Sequence, residues 1–410
     1  MRSAPGPLGS RNFRLLLACD VISIAGTGIA VVAVPFAVLS IGGTGTDVGY
    51  VATGALLPMI AFLLLGGVVA DRLPRHRVIV AAELAQGAAQ ALSAVLVLTG
   101  TARVWELLLL AAVRGAGLGF YFPAATGLLP QTVPADQLGQ ANAIDRAGRN
   151  SAQIGGYAFG GVLVALLGPG WGLAADAASF GLAALLRIGM RFPAAGPRET
   201  PAGVVRELRE GWQEFVSRRW LWSIVLQFAG VAAVTTATVS VLGPVVAHES
   251  LGGARSWGAI MAAYGAGGVA GGIAMIRFRP ARMLLAATAG VLVFTVLLFA
   301  LAVPLAVPLT AAAAFVAGVS AEVFAINWNT TMQQEIPPAA LSRVSSYDAL
   351  GSFALSPVGT MVAGPLLAAF GARSVLAAGG VLVLLLTGAV LLVPEVRQLR
   401  RVTFAPQEVP

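Results

Sequence analysis

The chain is divided into long apolar segments, each close to the length that crosses a lipid bilayer. A membrane-spanning helix needs about 20 consecutive, mostly apolar residues to cross roughly 30 Å of hydrocarbon. The 410 residues contain twelve such segments, and we therefore predict an all-α membrane protein with twelve transmembrane helices. The predicted spans are 13–41, 48–70, 78–99, 104–129, 140–167, 171–190, 221–247, 256–276, 283–303, 307–332, 343–370 and 373–393.

The composition supports the same class of protein. Only 11% of the residues are charged and 57% are hydrophobic, with a mean hydropathy of +0.84. Soluble domains carry about 25% charged residues. So few charged side chains cannot cover a water-exposed globule of this length, whereas lipid requires no polar cover. An ordinary soluble protein is therefore excluded.

The arginines predict the orientation in the membrane. The formal net charge is +8, and all 26 basic residues are arginines. With the N-terminus in the cytoplasm, every arginine except Arg103, Arg114, Arg255 and Arg373 falls on the cytoplasmic side. This asymmetry follows the positive-inside rule and predicts that both termini are cytoplasmic. The arginines form no contiguous basic surface in the sequence, so we expect no nucleic-acid partner.

The two halves of the chain are related by an internal repeat. A shift of 203 residues aligns 131–168 with 334–371 without a gap, and ten of the 38 positions are identical. Each half then holds six spans, as in transporters built from parallel repeats that bind substrate between them near mid-membrane. We predict an N-terminal six-helix bundle (1–190), a connector (191–219) and a C-terminal six-helix bundle (220–410).

The connector contains a pattern typical of an amphipathic helix. Val204, Leu208, Trp212 and Phe215 fall on one helical stripe, and the charged residues lie elsewhere. This helix is expected either along the cytoplasmic membrane interface or packed on the protein's own cytoplasmic face.

The run "GGVVADRLPRHR", residues 66–77, places several charges directly after an apolar segment. Gly67, Asp71, Arg72, Arg75 and, more loosely, Arg77 resemble the G-x-x-x-D-R-x-x-R-R motif between spans 2 and 3 of the major facilitator superfamily. The resemblance implies a conformational gate in which Asp71 meets the start of span 11, near residues 342–345. The alternative is that the arginines only fix the topology.

Further runs extend the resemblance over nearly the whole chain. "LLPQTVPADQLGQANA", "AADAASF", "LREGWQEFVSRRWL" and "IPPAALSRVSS" resemble the branch that contains enterobactin and macrolide exporters. This implies the major facilitator fold and export of a small organic molecule, such as a drug, siderophore or secondary metabolite, by proton antiport with alternating access. The expected location is the inner cell membrane, as a monomer without a cofactor, with lipid, protons and the small-molecule substrate as partners.

Glycines in span 5 resemble a second motif of the superfamily. The run "GGYAFGG" contains Gly156, Gly160 and Gly161, and is similar to the G-P-x-x-G-G motif of antiporters, with Tyr157 at the proline position. Small residues allow membrane helices to approach closely. We expect these glycines to lie at helix contacts.

Three charged residues lie deep within predicted spans: Asp20, Arg114 and Glu322. Because a charge at this depth costs roughly 2.5 to 3.5 kcal/mol on insertion scales, each is a candidate functional residue. We predict Asp20 and Glu322 as proton or cation sites and Arg114 as their counter-charge. The alternative is buried ion pairing without a role in transport.

Other polar residues of the spans are assigned less specifically. Glu83, Asp145, Asp176 and Asp348 lie nearer to span ends and are expected to reach the membrane interface. Amphipathic groups suited to an apolar substrate cavity, or to hydrogen bonds between helices, are Tyr121, Gln227, Tyr264, Asn327, Trp328 and Asn329.

Two other interpretations of the fold stay open. One is an importer or uniporter, and the other is a membrane receptor or assembly factor that binds without transport. An enzyme is not expected, because the sequence has no P-loop and no His or Cys cluster spaced for a metal. With Cys19 alone, an internal disulfide is excluded.

Overall fold

The structure is a computed structural model that describes residues 6–190, 204–278 and 280–399. Its first half forms α1 (Arg11–Ser40), α2 (Gly45–Arg72), α3 (Arg75–Leu98), α4 (Val104–Thr126), α5 (Leu138–Leu167) and α6 (Pro169–Ile188). The second half forms α7 (Val204–Ser217), α8 (Arg219–Ala237), a π-helical turn (Thr238–Leu242), α9 (Gly243–Ser250), α10 (Ala254–Arg277), α11 (Met283–Val291), α12 (Phe294–Ala302), α13 (Val307–Glu335), α14 (Pro338–Phe353), α15 (Ser356–Leu391) and α16 (Pro394–Gln398).

The predicted spans are present as apolar helices. The described residues contain 11 segments long and apolar enough to cross a membrane, and the last, Arg343–Leu391, is 49 residues long. That segment holds two predicted spans, 343–370 and 373–393. They are separated at Gly371, whose φ of 75° and ψ of 159° interrupt the helix. The prediction of an all-α membrane protein with twelve spans is confirmed.

The helices leave apolar surface uncovered. Leu185, Leu226 and Leu385 have exposed fractions of 69%, 64% and 66%. Such surface is unfavourable in water, but hydrocarbon supplies an apolar environment for it. The exposed leucines are therefore consistent with helices that contact one another on one side and lipid on the other.

Two glycines form equivalent helix junctions in the two halves. Gly168 joins α5 directly to α6 with φ 91° and ψ 163°, and Gly371 has nearly the same conformation. A residue with a Cβ rarely adopts a positive φ, so glycine is required at both junctions. The repeat inferred from the sequence is thus visible in the backbone.

The chain forms two compact units. The first consists of Met1–Glu199, Thr236–Ala262 and Pro357–Ala372, and the second of Thr200–Thr235, Ala263–Ser356 and Arg373–Pro410. These borders differ from the predicted ones, because two segments of the second half pack with the first. The division into bundles 1–190 and 220–410, joined by 191–219, stays a prediction.

Within the first unit, α5 packs through its glycines. A Cβ on Gly156 would lie 2.3 Å from a backbone oxygen of α1, and one on Gly160 would lie 2.8 Å from a Cα of the same helix. Gly161 faces α10 instead, where a Cβ would lie 2.9 Å from a backbone oxygen. All three glycines therefore lie at close helix contacts.

The repeat extends to a second glycine contact. In the first unit, a Cβ on Gly115 of α4 would lie 1.9 Å from the carbonyl oxygen of Ala55 in α2. In the second unit, a Cβ on Gly318 of α13 would lie 1.9 Å from the carbonyl oxygen of Tyr264 in α10. Each half thus joins its second and fourth spans by direct backbone contact.

The described part of the connector forms α7, in the second unit. The ring of Trp212 stacks on buried Phe215 with centroids 5.7 Å apart and meets Tyr347 of α14 at 5.5 Å. A Cβ on Gly211 would lie 2.8 Å from Cβ of Arg343, also in α14. The C-terminal part of α7 therefore packs on the protein itself. The side chains of Val204 and Leu208, with residues 191–203, lie outside the described residues.

Candidate functional site

Asp20 belongs to a buried cluster of charges in the first unit. Its Oδ1 accepts a hydrogen bond from Nη2 of Arg187 in α6 at 3.0 Å, and its Oδ2 accepts one from Nη1 of Arg149 in α5 at 3.2 Å. Tyr121 of α4 donates its hydroxyl to Oδ1 at 3.4 Å. The Asp20 carboxylate, 7% exposed, is therefore held by three donors.

Arg187 also binds Glu83 of α3 at two points. Nε lies 3.1 Å from Oε2 and Nη2 lies 2.9 Å from Oε1, and both side chains are fully buried. Two-point pairing is a strong way to compensate a buried carboxylate. With Asp20 and Arg149, the cluster balances two negative against two positive charges and links α1, α3, α5 and α6.

Sequence reasoning identified only part of this cluster. Asp20 is predicted from its depth, but the expectation that Glu83 reaches the membrane interface is wrong, because its side chain is 0% exposed. Arg149 and Arg187 are missed, since the orientation count treats them only as charges of the cytoplasmic side. Tyr121, predicted in a substrate cavity, is 8% exposed and donates to Asp20 instead.

A second buried ion pair joins Arg114 of α4 to Asp176 of α6. Nη2 of Arg114 lies 3.6 Å from Oδ2 of Asp176, and the side chains are 19% and 0% exposed. The expectation that Asp176 reaches the interface is therefore also wrong. Arg114 is predicted as a counter-charge for Asp20 or Glu322, but the carboxylate it contacts is Asp176.

Arg114 lines an apolar cavity within the first unit. The cavity has a volume of about 220 Å³ and is bounded by α1, α2, α4 and the π-helical turn. Val31, Leu56 and Val239 are among its apolar walls, and Thr27 and Ser240 supply hydroxyl groups. Among the described residues that line it, Arg114 is the one that is charged.

Glu322 lies in the second unit, on α13. Its side chain is half-buried. A Cβ placed on Gly271 of α10 would lie 3.3 Å from the Cβ of Glu322. Tyr264, also half-buried, lies on the same face of α10 at the Gly318 contact. Glu322 is thus next to the glycine-mediated packing of α10 and α13.

A row of aromatic rings also lies in the second unit. Phe228 of α8 stacks on Phe324 of α13 with centroids 5.0 Å apart and planes 7° apart, and meets Phe353 of α14 edge-on at 6.2 Å. Phe324 in turn stacks on Trp328 at 6.2 Å. Trp328 donates its Nε1–H to Oδ2 of Asp348 at 3.0 Å. The row ends at Phe353, which is 48% exposed.

The remaining predicted cavity residues bond within their own unit. Gln227 is buried and donates to Oγ1 of Thr387 at 2.9 Å. Asn327 is also buried and donates to the carbonyl of Val323 at 2.8 Å. Asn329 is exposed and donates to the carbonyl of Ala325 at 2.8 Å. The Gln227 bond therefore links α8 to α15, whereas the carbonyl bonds of Asn327 and Asn329 lie within α13.

The predicted gate is described in part. The guanidinium of Arg75 lies against Gly127, since a Cβ placed on Gly127 would be 1.1 Å from Nη1 of Arg75. Arg72 and Arg77 are exposed, and nothing lies within 4 Å of a Cβ placed on Gly67. The side chain of Asp71 lies outside the described residues, as does that of Ser342 near its predicted contact.

The described residues offer no site for a metal. No group of three His, Cys, Asp or Glu side chains lies close enough among them to hold one.

Comparison with known proteins gives relatives along the whole chain. It is 29% identical to the multidrug efflux pump Tap of Mycolicibacterium fortuitum over 408 residues, which cover 94% of this chain and 96% of that protein. Tap of Mycobacterium tuberculosis is 28% identical over 96% of this chain and 95% of its own. Macrolide efflux protein A of Streptococcus pyogenes is 24% identical over 52% of this chain and 54% of that protein.

Solved structures share the fold. The nucleoside transporter NupG matches with a TM-score of 0.75 at 12% identity, covering 93% of this chain and 98% of that one. A bacterial homologue of the lysosomal transporter Spinster matches with a TM-score of 0.70 at 18% identity, covering 95% and 98%.

The sequence profile of the Major Facilitator Superfamily matches residues 16–360. Its motifs, apolar helices and internal repeat agree with that match. This chain therefore belongs to the Major Facilitator Superfamily and is a multi-pass membrane transporter related to efflux pumps.

Proposed function

We propose that this transporter exports small organic molecules from the cell in exchange for protons. It acts in the inner membrane as a monomer with both termini in the cytoplasm, and alternates between states open to either side. The relatives named as efflux pumps support the outward direction. Proton exchange is supported by the buried carboxylates of the spans, since a carboxylate in a membrane can carry a proton between two aqueous sides.

The apolar cavity beside Arg114 carries the proposal. Its walls are aliphatic except for two hydroxyl groups and one guanidinium that already has a carboxylate partner. Such a surface favours apolar molecules through burial and gives few directional contacts. A weakly selective exporter of apolar drugs or secondary metabolites needs this kind of surface.

Glu322 and the aromatic row extend the proposal to cationic substrates. A half-buried carboxylate attracts a cation, and the exposed face of Phe353 offers a ring for stacking or cation–π contact, worth about 0.5–2 kcal/mol. Tyr264 and Trp328 are proposed as neighbours of the substrate on this side. Buried Gln227 and Asn327 are assigned to packing, and exposed Asn329 stays a proposed substrate contact.

Asp20 is proposed as a structural residue. Its depth makes it a candidate for proton exchange, but protonating it would leave Arg149 and Arg187 with less compensating charge. The cluster is therefore best suited to hold four helices together. Gly67, Asp71, Arg72, Arg75 and Arg77 stay the proposed cytoplasmic gate.

Transport in liposomes tests the proposal. Purified protein is reconstituted into vesicles with an acidic lumen, the membrane potential is clamped, and uptake of labelled tetraphenylphosphonium, a lipophilic cation, is measured. Proton antiport accumulates the cation in the acidic compartment. Glu322→Gln is expected to weaken uptake at low cation concentration, whereas Asp136→Asn, which removes an exposed carboxylate, should leave uptake unchanged.

The other interpretations give different results. Accumulation in the alkaline compartment would indicate a proton-coupled importer, and equilibration without accumulation a uniporter. Saturable binding without flux would indicate a receptor. Each of these three outcomes would overturn the proposed function.

A further inference from the structure

We propose that Asp176 carries the exchanged proton and that Arg114 conveys its charge state to the cavity. This inference rests on the proposed function and names the residue that couples protons to substrate. Asp176 lies behind Arg114, away from the cavity, and does not contact it directly.

The two buried aspartates of the first unit differ sharply in their surroundings. Asp20 accepts hydrogen bonds from two guanidinium groups and a hydroxyl. Asp176 is 0% exposed, and among the described residues neither of its oxygens accepts a hydrogen bond. In the described part of the chain its charged contact is to Arg114 at 3.6 Å, which is longer than a hydrogen bond. Asp176 can therefore gain or lose a proton without breaking a hydrogen-bond network, whereas Asp20 cannot.

The carboxylate is closed off on the α1 side. A Cβ on Gly26 would lie 3.0 Å from Oδ1 of Asp176 and 1.9 Å from Oγ of Ser179, one turn further along α6. Glycine at this position lets α1 pack directly over the site, which keeps bulk water away. We therefore place the proposed route of the proton on the side of Arg114, which lies in contact with Asp176.

A small space with polar groups in a mainly apolar wall lies on that side. A cavity of about 20 Å³ is lined by Gln90, Ser93 and Arg114 together with apolar residues of α1, α2, α4 and α6. Nε2 of Gln90, whose side chain is 1% exposed, has no hydrogen-bond partner among the described residues. The space is large enough for one water molecule with these three polar groups as partners. A water molecule in this space would relay a proton between Arg114 and the interior of the first unit.

Other titratable groups of the neighbouring helices form the Asp20 cluster, farther along α6. Of the helices that contact α6, α1 contributes Asp20 and Cys19, α3 contributes Glu83, and α5 contributes Arg149 and Asp145. They gather around Arg187, eleven residues from Asp176 and therefore about 16 Å along α6. Arg114 of α4 is the charged group that faces Asp176 directly.

Charge balance gives the coupling. With Asp176 ionised, the pair is neutral and the cavity accepts an apolar molecule, either uncharged or singly cationic. When Asp176 takes up a proton, Arg114 is left with its positive charge uncompensated at the cavity wall. That charge repels a cation and attracts water, so the substrate leaves. Release of the proton on the other side restores the neutral pair.

Two transport modes separate coupling from folding. Gradient-driven uptake of tetraphenylphosphonium requires proton exchange, whereas counterflow of labelled against unlabelled tetraphenylphosphonium at equal pH does not. A gradient of two pH units supports up to about 100-fold accumulation for one-to-one exchange. For Asp176→Asn we expect accumulation to fall to about the concentration outside and counterflow of the cation to be strongly weakened as well, because the uncharged side chain leaves Arg114 permanently uncompensated. Asp136→Asn serves as the control.

A second variant guards against a folding defect. Arg114→Gln leaves Asp176 without its counter-charge, so the carboxyl group stays protonated and coupling is lost while counterflow survives. Wild-type accumulation in both variants, or loss of counterflow in both, would overturn the assignment. Absence of gradient-driven accumulation in the wild-type protein would instead overturn the proposed function.

Discussion

Removing Arg187 tests whether the Asp20 cluster holds the first unit together. Arg187 is fully buried and makes three charged contacts of 2.9–3.1 Å with Glu83 and Asp20. Arg187→Met keeps an unbranched side chain of similar length but removes the charge. Glu83 then loses both of its contacts to Arg187, and Asp20 keeps those to Arg149 and Tyr121.

The expected loss of stability is large. Removing one partner of a buried ion pair costs about 3–5 kcal/mol, because the other charge stays buried without compensation. Opening of the helices around the cluster should then become more frequent by about 10²- to 10⁴-fold. Full global unfolding is not needed to observe this, since local opening suffices.

The chain contains its own reporter for this opening. Cys19 is the single cysteine, is 0% exposed, and lies next to Asp20 with its Sγ 3.3 Å from the carbonyl oxygen of Ala183 in α6. A maleimide dye can react with it only when α1 separates from α6. The rate of labelling in mild detergent therefore follows the opening equilibrium.

Two further variants make the result specific. Arg14→Met, on the exposed side of α1, should change the labelling rate by no more than about twofold, as is usual for surface substitutions. Adding Glu83→Gln to Arg187→Met should slow labelling relative to Arg187→Met alone, because it removes the uncompensated charge. Labelling of Arg187→Met at the wild-type rate would refute the structural role of the cluster.

Three other substitutions are expected to destabilise the helix contacts, as measured by thermal unfolding in detergent. Gly115→Ala and Gly318→Ala should each cost about 1–3 kcal/mol of stability, because the added Cβ meets a carbonyl oxygen at 1.9 Å. Gly139→Ala is the control, since no described atom lies within 4 Å of the added Cβ. Equal stability of all three variants would contradict the close packing. Trp328→Phe should cost about 1.5–3 kcal/mol of stability, because it removes the hydrogen bond to Asp348. Trp222→Phe, at an exposed ring, is the control. An unchanged melting temperature of Trp328→Phe would show that this bond is unimportant.

The fold could be predicted from the sequence because hydrocarbon imposes a simple rule on helices. The spans 140–167 and 307–332 agree with Leu138–Leu167 and Val307–Glu335 to within a few residues. The interruption of span 9 between α11 and α12 was not predictable, since it leaves the apolar pattern unbroken. The borders of the compact units were also missed, because they depend on contacts between distant segments.

The buried charges could be found, but their partners could not. Depth along a span identifies Asp20 and Arg114, yet the direction in which a side chain points depends on how the helix is rotated. Glu83 and Asp176 lie nearer to span ends and still face inward. Asp20 and Arg187 are 167 residues apart, and no local pattern links two positions at that distance.

The junctions at Gly168 and Gly371, 203 residues apart, provide a fixed origin from which the two halves can be compared position by position. Counted from them, Gly115 corresponds to Gly318, so the backbone contact has been kept in both copies. Arg114 corresponds to Ala317 and Asp176 to Gly379, so the ion pair has no counterpart. The two halves thus share the backbone contact, whereas the Arg114–Asp176 pair belongs to the first half alone. Substitutions in the second half can therefore alter which molecules are recognised without changing the ion pair proposed to couple transport to protons.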